Sequence, residues 1–192
     1  MSTHKFGVAL LAIALVLGLA VAIRLADPGT NPESRVVGAD VKVPPDAVLA
    51  RVVSHVDGDT LRLVGESGSA ALSAEEHTTV RLLEIDTPEH GRDGAPAECY
   101  AEQASKVLRD MLPAGAEVWV RRDEQLRDSY GRTLLYLWTA DGEFVNLELV
   151  RQGFATAVLF EPNDRYIDLM RRAESQARSE GRGLWGACGQ GR

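Results

Sequence analysis

The chain has 192 residues, of which 45% are hydrophobic, 6% aromatic and 26% charged, the balance of one ordinary globular domain with an appendage. Its formal net charge of -7 excludes a broad basic surface of the kind that grips nucleic acid non-specifically. Any polyanionic partner must be met by a few local cations. Those cations are nearly all arginines, since only Lys5, Lys42 and Lys106 are lysines, and a guanidinium fork holds phosphate bidentately where an ammonium does not.

Gly7 to Ile23 is an uninterrupted uncharged, mostly apolar run between Lys5 and Arg24. A core helix is rarely apolar on every face at the extreme N-terminus, so residues 1–26 read as an export signal. Two versions stand: a cleaved signal peptide with Ala20-Val21-Ala22 as the small-x-small site, or an uncleaved anchor just long enough to span a bilayer. Either carries the remainder out of the cytoplasm. Residues 27–45 mix Pro, Gly, Asn, Ser and charge without an apolar period and are expected to be a flexible linker. The exported domain, residues 46–190, holds Cys99 and Cys188. In an oxidising compartment such a pair suggests a disulfide, with two separate buried thiols as the alternative.

Within the domain, Ala47–Val56 and Thr60–Val64 are strand-like runs joined by Asp57-Gly58-Asp59. Gly65–Glu76 is a small, polar loop, and Thr78–Ile85 a third strand. Thr87–Pro96 is a loop, after which Ala97, Tyr100, Ala101, Ala104, Val107, Leu108 and Met111 recur at helical spacing until Pro113 and Gly115. Glu117–Arg121 and Thr133–Thr139 are further strands. Asn146 is placed to cap a short helix that stops at Gly153, and a last amphipathic helix runs from about Asp164 to Glu180. One helix after the third strand and two after the fifth do not alternate as βαβ units. An α+β, mainly β, five-stranded and partly open OB barrel with three packed helices fits better.

Three short clusters carry chemistry. Asp57-Gly58-Asp59-Thr60 brings two carboxylates between strands, as a plain turn does, or as a hard cation requires. Arg81-Leu82-Leu83-Glu84-Ile85-Asp86-Thr87-Pro88-Glu89 puts an arginine inside a strand and acids where the strand enters a loop. Asp128-Ser129-Tyr130-Gly131-Arg132 lies at the entry to the fifth strand. Each alone has a bland reading as a turn or a surface ion pair.

Together, Asp-Gly-Asp-Thr, then Arg-x-x-x-x-Asp-Thr-Pro-Glu, then Asp-x-Tyr-Gly-Arg resembles the staphylococcal nuclease (thermonuclease) family in order and spacing. Val145–Gly153 resembles that family's second helix and Gly183-Leu184-Trp185 its C-terminal end, so the resemblance spans about Ala47 to Trp185. It implies a calcium-dependent phosphodiesterase acting on DNA and RNA, single-stranded or locally open strands favoured, as a monomer, with 3′-phosphate products. By resemblance, Asp59, Asp86 and the backbone carbonyl of Thr87 would bind Ca²⁺, with Asp57 beside the ion. Glu89 would be the general base, Arg81 and Arg132 would clasp the scissile phosphate, and Tyr130 would line the nucleotide pocket. The family's pair of tyrosines after the second helix has no match here, where Phe160 offers the one aromatic face, and Ser129 stands where the family has a basic residue. His90 is expected to be a solvated loop histidine, and Trp119, Trp138 and Trp185 to serve packing. Two rival readings are an inactive nucleic-acid-binding OB module and a calcium-binding protein of the cell envelope.

Overall fold

The computed structural model describes residues 41–66, 71–91 and 94–189. The apolar segment Gly7–Ile23 and most of the expected linker lie outside the described residues. Among the described residues, no helix is long and apolar enough to cross a membrane.

β1 (Val48–His55) and β2 (Thr60–Gly65) pair antiparallel across the Asp57-Gly58-Asp59 turn, and β3 (Thr78–Leu82) adds to β2. A tight turn leads to the two-residue β4 (Ile85–Asp86), and α1 (Ala101–Met111) follows. β5 (Glu117–Arg121) pairs with β1, and β6 (Thr133–Thr139) runs antiparallel to β5 and parallel to β3. Then come α2 (Val145–Arg151), β7 (Thr156–Ala157) paired with β4, α3 (Ile167–Ser179) and the short α4 (Leu184–Ala187). Around the barrel the order is β1-β2-β3-β6-β5, and β1 closes on β5. The barrel is therefore closed, not partly open. β1 manages both pairings because its first half meets β5 while its register with β2 shifts between Val52 and Ser54, the bend an extra residue gives a strand.

Alternation fills the interior: Ala50 and Val52, Leu61 and Leu63, Val80 and Leu82, Val118 and Val120 are all buried. β6 breaks the pattern, with Thr133 through Trp138 buried along both faces. Helices cover the second face. Trp138 stacks on Phe144 with centroids 4.6 Å apart, and Tyr166 meets Tyr136 edge-on at 4.8 Å. Val41, in the stretch read as linker, accepts a hydrogen bond from Trp138 Nε1 at 2.8 Å, so that stretch ends against the barrel.

Two expectations need correction. The third strand does not run to Ile85; it stops at Leu82, because Glu84 takes a left-handed backbone conformation (φ 62). Asn146 does not cap α2, whose N-cap is Phe144. Instead its wholly buried amide bridges β6 and the turn after β3, accepting from Leu137 N at 3.0 Å and donating to the Leu83 carbonyl at 2.9 Å. Farther on, α2 ends against the C-terminal segment, where Gly153 and Gly183 abut. A Cβ on Gly153 would lie 2.3 Å from the Arg182 carbonyl oxygen, and one on Gly183 2.2 Å from that of Gly153.

Cys99 and Cys188 are bonded, tying the residue before the α1 cap to the end of α4 across a separation of 89 residues. Converting both to serine is expected to lower unfolding free energy by about 4 kcal/mol, on the loop-entropy relation. Asn146→Ala, which strands a buried N–H and a buried carbonyl, should cost about 2–4 kcal/mol. Urea titration checks both through the midpoint.

Candidate active site

The local sequence of the β1–β2 turn explains its shape. Asp57 Oδ1 accepts from Asp59 N at 3.2 Å, an aspartate turn closed on its own backbone. Gly58 between them is a contact point: a Cβ there would come within 2.7 Å of Thr87 Oγ1 and 3.1 Å of Ala104 Cβ on α1. The turn is thereby pressed against both the metal-site loop expected from sequence and the first helix.

Arg81 lies inside the fold with 4% exposure, beside Asp59 at 1%. Its Nε donates toward Asp59 Oδ1 at 3.0 Å and its Nη2 to Asp86 Oδ1 at 2.7 Å. Its Nη1 donates to the carbonyls of Leu82 and Ile85, at 2.7 and 2.6 Å. A guanidinium has five N–H donors, so these contacts leave a single donor for a ligand. The ring of Phe160 lies 5.3 Å from its Cζ. Asp59 Oδ2 takes the backbone N and the hydroxyl of Thr87, at 2.9 and 3.1 Å, and Oδ1 also takes the hydroxyl of Thr60 at 3.0 Å. Burial raises the Asp59 carboxyl above the usual carboxylate range, with Asp57's charge adding to the rise and Arg81 opposing it.

The structure thus gathers Asp57, Asp59, Arg81, Asp86 and Thr87 into one cluster. Among the described residues no three His, Cys, Asp or Glu side chains are grouped to hold a metal ion; the candidate donors are the two carboxylates and the Thr87 carbonyl. That set still fits a hard divalent cation. Every donor is oxygen, and the two carboxylates face a single guanidinium. Two of the four hydrogen bonds on Asp59 come from threonine hydroxyls, which rotate aside at little cost.

Glu89, Tyr130 and Arg132 share an open cleft of about 730 Å³ with His90, Pro96 and Glu98. Asp86-Thr87-Pro88-Glu89 is the covalent link between this cleft and the carboxylate cluster. The Glu89 backbone is held on both sides by Glu98, whose carboxylate accepts from Glu89 N and whose N donates to Glu89 O, each at 2.9 Å. His90 is a half-buried loop residue on the wall of that cleft, and its Nε2 meets Ser105 Oγ of α1 at 2.7 Å, which pins the loop to the helix.

Arg132 is aimed by Asp128, whose place in the Asp-x-Tyr-Gly-Arg motif did not by itself announce that role. Asp128 Oδ2 takes Arg132 Nε at 2.7 Å, while Oδ1 accepts from the backbone N of Tyr130 and of Arg132, at 3.0 and 2.9 Å. Burial acts to raise the Asp128 carboxyl, but these hydrogen bonds and the Arg132 charge win and hold it below the usual range. The Arg132 guanidinium also lies 5.5 Å over the Tyr130 ring. Among the described residues nothing accepts from its two terminal nitrogens, which are left for an anion. The signal for Asp128 was present in the sequence as an aspartate four residues before an arginine across a Tyr-Gly turn.

A family model described as "Staphylococcal nuclease homologue" matches residues 79–187. The thermonuclease of Staphylococcus intermedius is 31% identical over 179 residues, 93% of this chain and 95% of that protein. The thermonuclease of Staphylococcus hyicus is 30% identical over 135 residues, covering 70% and 74%. Endonuclease YncB of Bacillus subtilis (strain 168) is 33% identical over 135 residues, covering 70% and 60%.

The packing around Gly58 yields a direct test. Gly58→Ala is expected to push Thr87 and α1 away from the β1–β2 turn, costing about 1–3 kcal/mol of stability as overpacking does. Circular dichroism melts should show a lowered Tm with unchanged secondary structure.

Proposed function

This chain belongs to the staphylococcal nuclease family, and from that membership we propose that it hydrolyses phosphodiester bonds of DNA and RNA with the help of a calcium ion, leaving 3′-phosphate ends. The observation that carries the proposal is the shared cleft of Glu89, Tyr130 and Arg132, one short loop from the carboxylate cluster.

Asp59, Asp86 and the Thr87 carbonyl would hold the calcium, with Asp57 beside them, and the bound ion would supply Lewis acidity at a phosphate oxygen. Arg132 receives the scissile phosphate on its two terminal nitrogens, already oriented by Asp128. Charge that builds on the non-bridging oxygens as water adds is stabilised by a guanidinium that needs no reorganisation. Arg81 contributes its charge and one remaining N–H; the rest of its fork fixes the loop. Glu89, exposed on a backbone held by Glu98, takes a proton from the attacking water. The bond from phosphorus to the 5′ oxygen breaks, and the leaving oxygen collects a proton from solvent. Tyr130 offers a ring for base or sugar contact.

Export is part of the proposal. The apolar run at residues 7–23 supports it, and so does the Cys99–Cys188 bond, because such bonds are rare in a reducing cytoplasm. A monomer of this kind would meet nucleic acid outside the cytoplasm, free or tethered to the membrane.

The full chain, supplied with single-stranded DNA or RNA, is expected to cleave in calcium and to stop in chelator. Glu89→Gln should lower kcat by roughly 10²–10⁴, and Arg132→Ala by roughly 10²–10³, both with the fold retained. Calcium binding without cleavage would favour a calcium-binding envelope protein, and oligonucleotide binding without cleavage an inactive OB module.

A further inference from the structure

On the other side of Tyr130 from Glu89 lies a second open groove, of about 610 Å³. Tyr130 and Arg132 line both spaces, so the two are separated by a single ridge. That ridge is braced: Asp128 holds Arg132, and Arg132 covers the tyrosine ring. Tyr130 is nevertheless 84% exposed, more than any other large hydrophobic side chain among the described residues. Beyond it the groove presents Ser73, His77, Thr79 and Arg127. Arg127 is exposed, its backbone bridges to Thr133 at the start of β6, and its Nη1 touches the Gly131 carbonyl at 3.2 Å. One carboxylate, the exposed Glu76, also lines the groove.

We propose that this groove is a second phosphate subsite for a single-stranded polynucleotide, with Arg127 as its main anion-binding side chain and Tyr130 as the stacking platform between subsites. The inference rests on the nuclease reading above and extends it. A chain whose phosphate sits on Arg132 must leave the Glu89 cleft somewhere, and the exit across Tyr130 meets a second guanidinium within one ridge. The hydroxyls and the imidazole supply further donors, and a polar, open groove suits a solvated backbone better than an apolar ligand. In a chain of net charge -7, two arginines on adjoining walls are the local concentration of positive charge that a polyanion requires. Glu76 opposes it, which gives the proposal a second handle of opposite sign.

The test measures binding of the full chain to oligothymidylates of two, four and eight nucleotides in chelator, and cleavage of the same strands in calcium. Wild-type affinity should rise with length. Arg127→Ala should weaken the eight-nucleotide strand roughly three- to tenfold and reduce the salt slope by about 1, while leaving the dinucleotide unchanged. Glu76→Gln should tighten the longer strand and spare the dinucleotide. Cleavage of the eight-nucleotide strand by Arg127→Ala should show raised KM at constant kcat. Equal effects on short and long strands, or none on either, would overturn the subsite even if the wild type cleaves normally. Length-dependent binding that Arg127→Ala removes, with no cleavage by the wild type in calcium, would sink the nuclease reading and leave the subsite standing.

Discussion

A guanidinium with 4% exposure has to find its partners inside the protein, and Arg81 finds two carboxylates and two backbone carbonyls. Removing one side of such a buried pair typically costs about 3–5 kcal/mol, because the other charge is left desolvated. The demand runs both ways. Asp59 at the end of the β1–β2 turn, the Leu82–Ile85 turn and Asp86 at the end of β4 are positioned because a single planar fork requires them all. Thr87 is then drawn to Asp59 by two further hydrogen bonds, and the loop that carries Glu89 begins from a fixed point.

The same turn is held from its other side by a buried carboxyl. Glu84, with no exposed surface, adopts φ 62 and its Oε1 accepts from the Tyr136 hydroxyl at 2.6 Å and from Tyr166 N at 2.9 Å. Its backbone carbonyl accepts from Val158 N at 3.0 Å. Burial pushes its carboxyl up to about 7. A non-glycine residue in the left-handed region persists where the surroundings over-determine it, and here β6, the entry to α3 and the residue that follows β7 all do so. The turn between β3 and β4 is thus clamped between Arg81 and Glu84, one contributing donors and the other acceptors.

This rigidity is confined to one side of the candidate site. Glu89, Tyr130 and Arg132 stand on loops, with open clefts on either side of the Tyr130–Arg132 ridge. Asp128 and Glu98 supply their support locally, within a few residues or across one loop. The division suits an enzyme that has to hold a charged cluster fixed while a polymer enters and leaves an open surface.

Much of this was legible in the residues themselves. The two strands Glu117–Arg121 and Thr133–Thr139 were read with their exact bounds, because apolar period and turn signals agree there. The five-strand, three-helix architecture and the three acidic and basic motifs were equally plain. What failed did so for a common reason. Asn146 looked like a cap because asparagine before a helical run usually is one, yet β6 and the distant turn after β3 claimed its amide. His90 looked solvated because Ser105 lies on a helix that only folding brings near. The third strand looked continuous to Ile85 because nothing local announces that Glu84 will be buried and turned. Nor does the sequence say that a groove with Arg127 adjoins the cleft of Glu89 and Arg132. The chain by itself determined the main strands and helices and the chemical types available, since these follow from periodicity and short-range spacing. Which charges neutralise one another, and which are left open to an anion, only the tertiary structure decided, because that depends on which side chains the fold turns toward one another.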